Sequence, residues 1–378
     1  MTLIQPTARV AVIGAGIAGA SCASSLRQAG MHVELFDKSR GVGGRMASRR
    51  VQWTDPAGKL RTAELDHGAQ HFSALHPRFR AMLASAEAAG KVAPWRAKIH
   101  STLPVPRPAQ SYVAVPAMSA LVRHLVNDLA VRLEQPVQRL HRGIDGWHLV
   151  HNNDHLSGPY DHVMLAMPAP QAALLLAGHH DDWANTLAAV RMATCWTLLA
   201  VTDDIDWPWD AALPAQGPLD WVARNDRKPG RPGSPDCATW VAHATADWSM
   251  AHVEDEPDFV ASKLSAALRL QMPHLTPVNF HHASVHRWRY AASVGHGLQD
   301  PQECWWDRKL GIGVCGDFFG KASVEAAWRS GDELADTVAA SLDLEPMFAV
   351  DPTVPVPQVA ARPIMVAAPN ALMPQAVS

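Results

Sequence analysis

The feature that most constrains this chain is an N-terminal succession of strand, glycine turn, helix and strand. Arg9–Ile13 is a short β-branched run that enters Gly14-Ala15-Gly16-Ile17-Ala18-Gly19, and helical spacing follows to about Ala29. Gly30 stops that helix, and His32–Asp37 reads as the second strand of a βαβ unit. In such a turn Gly14 allows the tight bend, Gly16 lets the backbone approach a pyrophosphate, and Gly19 allows close packing of helix on strand. The helix start then offers N–H groups and partial positive charge to phosphates. Asp37 ends the second strand, where a carboxylate can accept hydrogen bonds from a ribose diol. The alternative is a glycine-rich turn that binds nothing, and the acid at the right distance argues against it. This loop alone does not separate a nicotinamide from a flavin dinucleotide.

The second glycine cluster separates them. Gly41-Val42-Gly43-Gly44-Arg45-Met46 sets a cation beside a flexible turn just after the ribose-binding strand. An arginine there can neutralise a pyrophosphate that the first helix already holds. Simple nicotinamide dehydrogenases have no need of this loop, so the pattern points to FAD.

The remaining composition narrows the partners. A formal charge of −3, with acidic and basic residues mixed along 378 positions, provides no basic footprint for nucleic acid. A small molecule is the expected partner. Cys22, Cys195, Cys237, Cys304 and Cys315 are scattered and lack CxxC spacing, against both a disulfide framework and a zinc site. The pairs His179-His180 and His281-His282 lack the spacing that would set two imidazoles on one helical face, so no metal is expected. No stretch reads as a signal peptide or a membrane span, and the expected location is the cytoplasm.

Further along, helices are expected near Phe79–Ala89, Met118–Leu129 and Pro257–Leu270. Lys98–Pro116 is proline-punctuated and extended. Strands are expected at Val137–Leu140, Trp147–Val150, His162–Met167, Ala193–Val201, Leu219–Ala223 and Thr239–Ala244. A last strand, Gly311–Cys315, leads into Gly316-Asp317 and a helix from Val324 to Leu342, with Ser323 as its N-cap. Such a helix can aim its positive end at a ring carbonyl where negative charge gathers. Residues 346–378 are rich in Pro, Ala and Val without period, and disorder is expected there.

Beyond the glycine loops, several segments make the chain resemble the FAD-dependent amine oxidase superfamily, and more narrowly the renalase-type flavoproteins. They are Phe36-Asp37-Lys38-Ser39-Arg40, Gly43-Gly44-Arg45-Met46, Asp66-His67-Gly68-Ala69-Gln70-His71-Phe72 and Trp221-Val222-Ala223-Arg224. Trp240-Val241-Ala242-His243-Ala244, His286-Arg287-Trp288-Arg289-Tyr290 and Cys315-Gly316-Asp317 complete them. The resemblance runs from Arg9 to about Leu342. It implies an α/β fold: a discontinuous Rossmann-like FAD-binding domain (1–72, 110–170 and 296–345) with an inserted α+β substrate domain (73–109 and 171–295).

The resemblance further implies that Asp37, with Lys38 beside it, binds the adenosine ribose and that Gly44 and Arg45 meet the pyrophosphate. Gly14, Gly16, Ala18 and Gly19 would line the first loop, and Val137 would offer its backbone to the adenine. Ala69, Gln70 and His71 would pass the isoalloxazine. Asp317 would take the ribityl chain, with Val324 and Glu325 at the start of the last helix. Gln70, His71, Trp240, His243, Trp288 and Tyr290 are the expected substrate contacts, although His243 reads equally well as a core histidine. Trp207, Trp209, Trp305 and Trp306 read as packing.

Two departures matter. Many amine oxidases carry a lysine in the strand corresponding to Ala193–Leu198, and this strand has none. No cysteine stands where a covalent flavin link is usual, so FAD is expected to be non-covalent. With the flavin as the only assigned catalytic group, the expected reaction is hydride transfer to flavin N5 and reoxidation by dioxygen to hydrogen peroxide. On the renalase likeness the substrate is a 2- or 6-dihydronicotinamide dinucleotide, which becomes aromatic as hydride leaves and needs no strong base. The competing readings are an amine oxidase or related dehydrogenase and, from another class, a flavin-binding sensor without turnover.

Overall fold

The computed structural model describes residues 7–102, 110–233, 236–272, 278–295, 297–298 and 302–342. The expected disordered tail lies outside them. Strand β1 (Arg9–Ile13), helix α1 (Ile17–Gln28) and strand β2 (His32–Phe36) form the βαβ unit as read from the sequence. Gly30 has φ +89, a left-handed conformation that ends the helix without steric cost. β1 lies at the centre of a six-stranded sheet, parallel to β2 on one side and to His162–Leu165 on the other. Ile312–Cys315 continues the parallel order. Cys304–Asp307 closes that edge antiparallel, and Ala130–Arg132 pairs with β2 at the other edge.

Both faces of this sheet are covered, which explains why its strands read as unbroken apolar runs. One face packs Val10, Val12 and Val33 against α1 and the last helix, Val324–Ser341. The other packs Ala11, Ile13 and Val163 against a three-stranded meander and the helices Ala169–Leu176 and Asp181–Ala188. The helix Pro77–Ala88, expected in the substrate domain, buries Phe79, Leu83 and Ala86 in the same cluster as β1, with Phe79 against Trp328 of the last helix. The helix expected over Met118–Leu129 is shorter, Ser119–Leu125.

A second six-stranded sheet runs Phe280–Ser293, Met192–Asp203, Cys237–Ala244, Leu219–Arg224, Ala211–Leu213 and Ile99–Ser101. One face carries Leu198, Ala200, Trp240 and Ala242 onto the helix Pro257–Arg269. The other carries Leu199, Val201 and Val241 onto a hairpin made by Arg49–Thr54 and Leu60–Leu65. The fourteen-residue strand Phe280–Ser293 has no counterpart in the sequence reading. Its residues alternate neither in polarity nor in burial, because His, Arg and Trp occupy both faces, so period-2 patterning is absent.

Candidate functional site

The two glycine loops form one surface. Gly14 has φ +111, and a methyl group there would come within 2.3 Å of the Ala166 carbonyl oxygen, so only glycine fits. Gly19 is equally closed, its pro-methyl position lying on the Gly14 carbonyl. Gly16 differs, since the nearest atom to a methyl group would be the Gly44 Cα at 3.9 Å. Gly44 in turn has φ +51 and packs directly on Gly16, while the Gly43 N–H donates to the Ala15 carbonyl at 2.8 Å. No side chain caps α1, and its first turn, which includes Ala18, carries no acid. An anion therefore meets bare helix-start N–H groups between the loops. Asp37 accepts the Ala15 N–H at 2.7 Å and the Ser39 N–H at 2.8 Å, which fixes its carboxylate at the end of β2. Lys38 beside it is exposed, and Val137 is half-buried against the Phe36 cluster.

Arg45 and Asp317, far apart in sequence, meet here as a bidentate ion pair at 2.8 and 2.7 Å. Arg45 also donates to the Ala291 carbonyl at 3.1 Å, reaching the end of the long strand beside Tyr290, which is half-buried. Ser323 caps the last helix by accepting the Ala326 N–H at 3.0 Å, and Val324 opens it half-buried. The Glu325 carboxylate faces elsewhere. It accepts the N–H groups of Leu75 and His76, so its side chain ties down that loop.

From Arg45 the chain passes to the second sheet through Asp66–Phe72, with the Ala69 N–H on the Arg45 carbonyl at 2.8 Å. Strand register then sets His286, Thr197, His243 and Trp221 opposite one another in a single row across four strands. Trp221 lies against His71, ring centroids 5.4 Å apart, and Trp95 lies against both. Trp288 stacks on His67 at 4.9 Å and donates its indole N–H to the His67 carbonyl. His286 meets both rings edge-on.

Trp240 is not part of this wall. It is fully buried on the opposite face of the sheet, edge-on to Trp207, with its N–H donated to the Thr202 hydroxyl at 2.8 Å. Alternation along the strand explains the correction, since positions 240 and 243 must face opposite ways.

Beneath Gln70 lies a charged cluster. The wholly buried Asp66 carboxylate accepts from Arg231 at 2.6 Å, Lys228 at 3.2 Å, the Met118 N–H at 2.9 Å and the Ser48 hydroxyl at 2.8 Å. Burial alone would raise its pKa, but the charges of Lys228 and Arg231 outweigh that and hold it below the ordinary carboxylate range. Lys228, itself fully buried, also donates to the Gln70 carbonyl oxygen at 3.0 Å. Its own burial pulls its pKa down to about 8 despite Asp66. The Gln70 amide nitrogen faces the carbonyls of Asp66 and Gly68 and lies 3.3 Å from His243 Nε2.

The histidines around it are poor bases. Burial and then Lys228 lower His243 to about 4, and burial, His286 and Arg49 lower His67 to about 3. His286 falls to about 4 through burial and Arg49, and His71 is lowered by burial and Lys228. Cys195, in the strand where a lysine was sought, is pushed up to about 12 by burial and is a neutral thiol. Among the described residues, no group of histidines, cysteines and carboxylates is arranged to hold a metal ion.

Lys228, Arg231 and Trp95 lie outside every motif quoted above and carry no local sequence signal. Asp66, His67, Trp221 and His286 lie inside those motifs but were given no role. Although the strand Met192–Asp203 carries no lysine, the site does contain a buried amine, Lys228 on a loop.

Comparison with known proteins identifies the class. Residues 107–339 match the flavin-containing amine oxidoreductase family, and residues 12–86 match an NAD(P)-binding Rossmann-like domain. The first match covers more than half of the chain, which therefore belongs to the flavin-containing amine oxidoreductases. Mouse renalase is 26% identical over 305 residues, 75% of this chain and 84% of that protein. A bifunctional tRNA 5-methylaminomethyl-2-thiouridine biosynthesis protein from Magnetococcus marinus is 28% identical over 203 residues, but the match spans only 30% of its length.

Solved structures share the fold at low identity. A protoporphyrinogen oxidase from Exiguobacterium superposes with TM-score 0.63 at 13% identity, covering 89% of this chain and all of that one. Cyclohexylamine oxidase from Brevibacterium oxydans superposes at 0.60 and 15%, with the same coverage. The protein is an FAD-dependent oxidoreductase of the amine-oxidase type, similar to renalase. No helix among the described residues is long and apolar enough to cross a membrane.

Proposed function

We propose that the protein oxidises a dihydronicotinamide dinucleotide reduced at ring position 2 or 6. When bound, FAD supplies a hydride acceptor at N5 and a route for electrons to dioxygen, yielding hydrogen peroxide. The protein's residues fit that cofactor. The helix start between Gly16 and Gly44 takes the pyrophosphate, Asp37 the adenosine ribose, and Arg45 and Asp317 exchange their mutual pair for pyrophosphate and ribityl contacts. The ring system then reaches Ala69, Gln70 and His71, held non-covalently. The buried His71 Nδ1 and Trp221 Nε1 have no hydrogen-bond partner among the described residues, and a ligand in the site would satisfy them.

The observation that carries the substrate reading is the charge of the site. One buried carboxylate faces two buried cations, and the surrounding histidines are neutral, so the site carries surplus positive charge. A cationic polyamine is disfavoured there, whereas an anionic dinucleotide is attracted. Histidines lowered to about 3 and about 4 are also weak proton acceptors, which suits a substrate that gains aromaticity on oxidation and needs no base.

The aromatic wall of Trp288, Trp221 and Trp95 keeps a second reading, oxidation of a neutral amine, in view. Anaerobic rapid mixing of the holoenzyme with the 2- and 6-dihydro isomers and with a panel of amines decides between them. Fast bleaching of the flavin band by the isomers alone is expected. Bleaching by an amine and not by the isomers overturns the proposal.

A further inference from the structure

We propose that Lys228, on the loop after the strand Leu219–Arg224, is the positioning residue of the active site. It fixes the Gln70 carboxamide with its oxygen on the ammonium and its nitrogen toward the Asp66 and Gly68 carbonyls and His243, and it lends the ring system beside Gln70 the positive charge that Asp66, already paired with Arg231, leaves uncompensated. The inference rests on the reading that FAD places its ring at Ala69–His71, but not on the identity of the substrate.

The orientation follows from donor counting. An ammonium has three donors and no acceptor, so the Gln70 oxygen must be the atom 3.0 Å from Lys228 Nζ. The amide nitrogen is then turned toward the carbonyls of Asp66 and Gly68 and toward His243 Nε2 at 3.3 Å. One lysine thus sets which end of the Gln70 amide faces His243, a member of the sheet row His286, Thr197, His243 and Trp221.

The charge argument is separate. Asp66 balances Arg231 through the 2.6 Å contact, and Lys228 is the second cation on the same carboxylate. The Lys228 side chain has no exposed surface, so solvent screens this surplus weakly. The remaining groups around it, the Trp95 ring 5.7 Å away and the neutral His71 and His243, bring no negative charge. An anion is the missing partner. Electrons arriving on the ring beside Gln70 would supply it, and the protein would thereby favour the reduced cofactor.

The test uses the holoenzyme without substrate. FAD content, melting temperature and the two-electron midpoint potential are measured for the wild type, Lys228→Met, Lys228→Arg and Gln70→Leu. Lys228→Met leaves Asp66 paired with Arg231, so the fold and FAD content should persist. Its reduction equilibrium should fall about tenfold, ~30 mV toward the negative. Lys228→Arg should stay near the wild type, and the wild-type potential should bend with pH near about 8 in a way that the methionine variant does not.

An unchanged potential in a fully loaded Lys228→Met enzyme overturns the assignment if Gln70→Leu does shift it. If neither variant shifts it, the reading that puts the ring at Gln70 has failed instead. A shift equally large in methionine and arginine variants would mark a packing role and also overturn the proposal. Should the variants not fold, a wild-type potential with no bend near that pH is sufficient to reject it.

Discussion

Gly16→Ala separates cofactor binding from folding more cleanly than any other substitution in the first loop. Its methyl group would meet no protein atom closer than the Gly44 Cα at 3.9 Å, an ordinary contact, and Gly16 has φ −78, which alanine adopts freely. As N-cap of α1, alanine is a poorer cap than glycine, costing up to about 1 kcal/mol. The same methyl projects between the two glycine loops, at the proposed seat of the pyrophosphate against the helix start. Displacing the phosphates removes charge-assisted hydrogen bonds worth about 1.5–3 kcal/mol each. Losing two of them weakens FAD at least one hundredfold, since ~1.4 kcal/mol is a factor of ten. Titration of apoprotein with FAD, followed by flavin fluorescence and paired with circular-dichroism melts, measures both quantities. Gly14→Ala is the contrasting control, because φ +111 and the 2.3 Å approach to Ala166 make it damage the fold itself. A Gly16→Ala protein that binds FAD like the wild type refutes this placement of the cofactor. One that melts as early as Gly14→Ala refutes the claim of open space at Gly16.

Acid should weaken the folded state in a defined window. His67, His243 and His286 are held neutral, with folded values near 3 to 4, below the ordinary value of 6.5. Below that ordinary value the unfolded chain takes up protons that the folded chain refuses, so stability declines as pH falls. The loss is on the order of 1–2 kcal/mol per histidine by about pH 5. Urea midpoints across this range would be flat if the three rings are charged in the folded protein. Trp240→Ala should cost about 3–5 kcal/mol of stability through the cavity it leaves under the helix Pro257–Arg269. Trp288→Phe should leave stability nearly unchanged but raise KM for the dihydronicotinamide substrate several-fold. If Trp240→Ala instead altered KM in a protein of normal stability, the assignment of faces would be wrong.

The site shows where local sequence information ends. The glycine loops were legible because their chemistry is local: Gly14, Gly19 and Gly44 occupy backbone positions that few other residues tolerate, and they lie between a strand and a helix with their own periodicities. Asp37 was legible for the same reason, at a set distance along one βαβ unit. Trp240 and His243 belong to one motif, yet the pleat sends them to opposite faces, and only the sheet's neighbours determine which face is core. The long strand Phe280–Ser293 escaped because both of its faces carry polar and aromatic residues, so no alternation marks it.

By itself the sequence determined the βαβ unit with its two glycine loops and, through Arg45, the choice of a flavin cofactor. Tertiary structure alone decided what surrounds the reactive end. Lys228, Arg231 and Asp66 carry no mutual signal along the chain. They form one cluster because the loop joining Leu219–Arg224 to Cys237–Ala244 packs onto the segment leaving the hairpin strand Leu60–Leu65. The row from His286 to Trp221 likewise exists only through the register of four strands drawn from four separate stretches of sequence. Local steric demands are written residue by residue. The charge and polarity of a cavity are sums over neighbours, and folding chooses the neighbours.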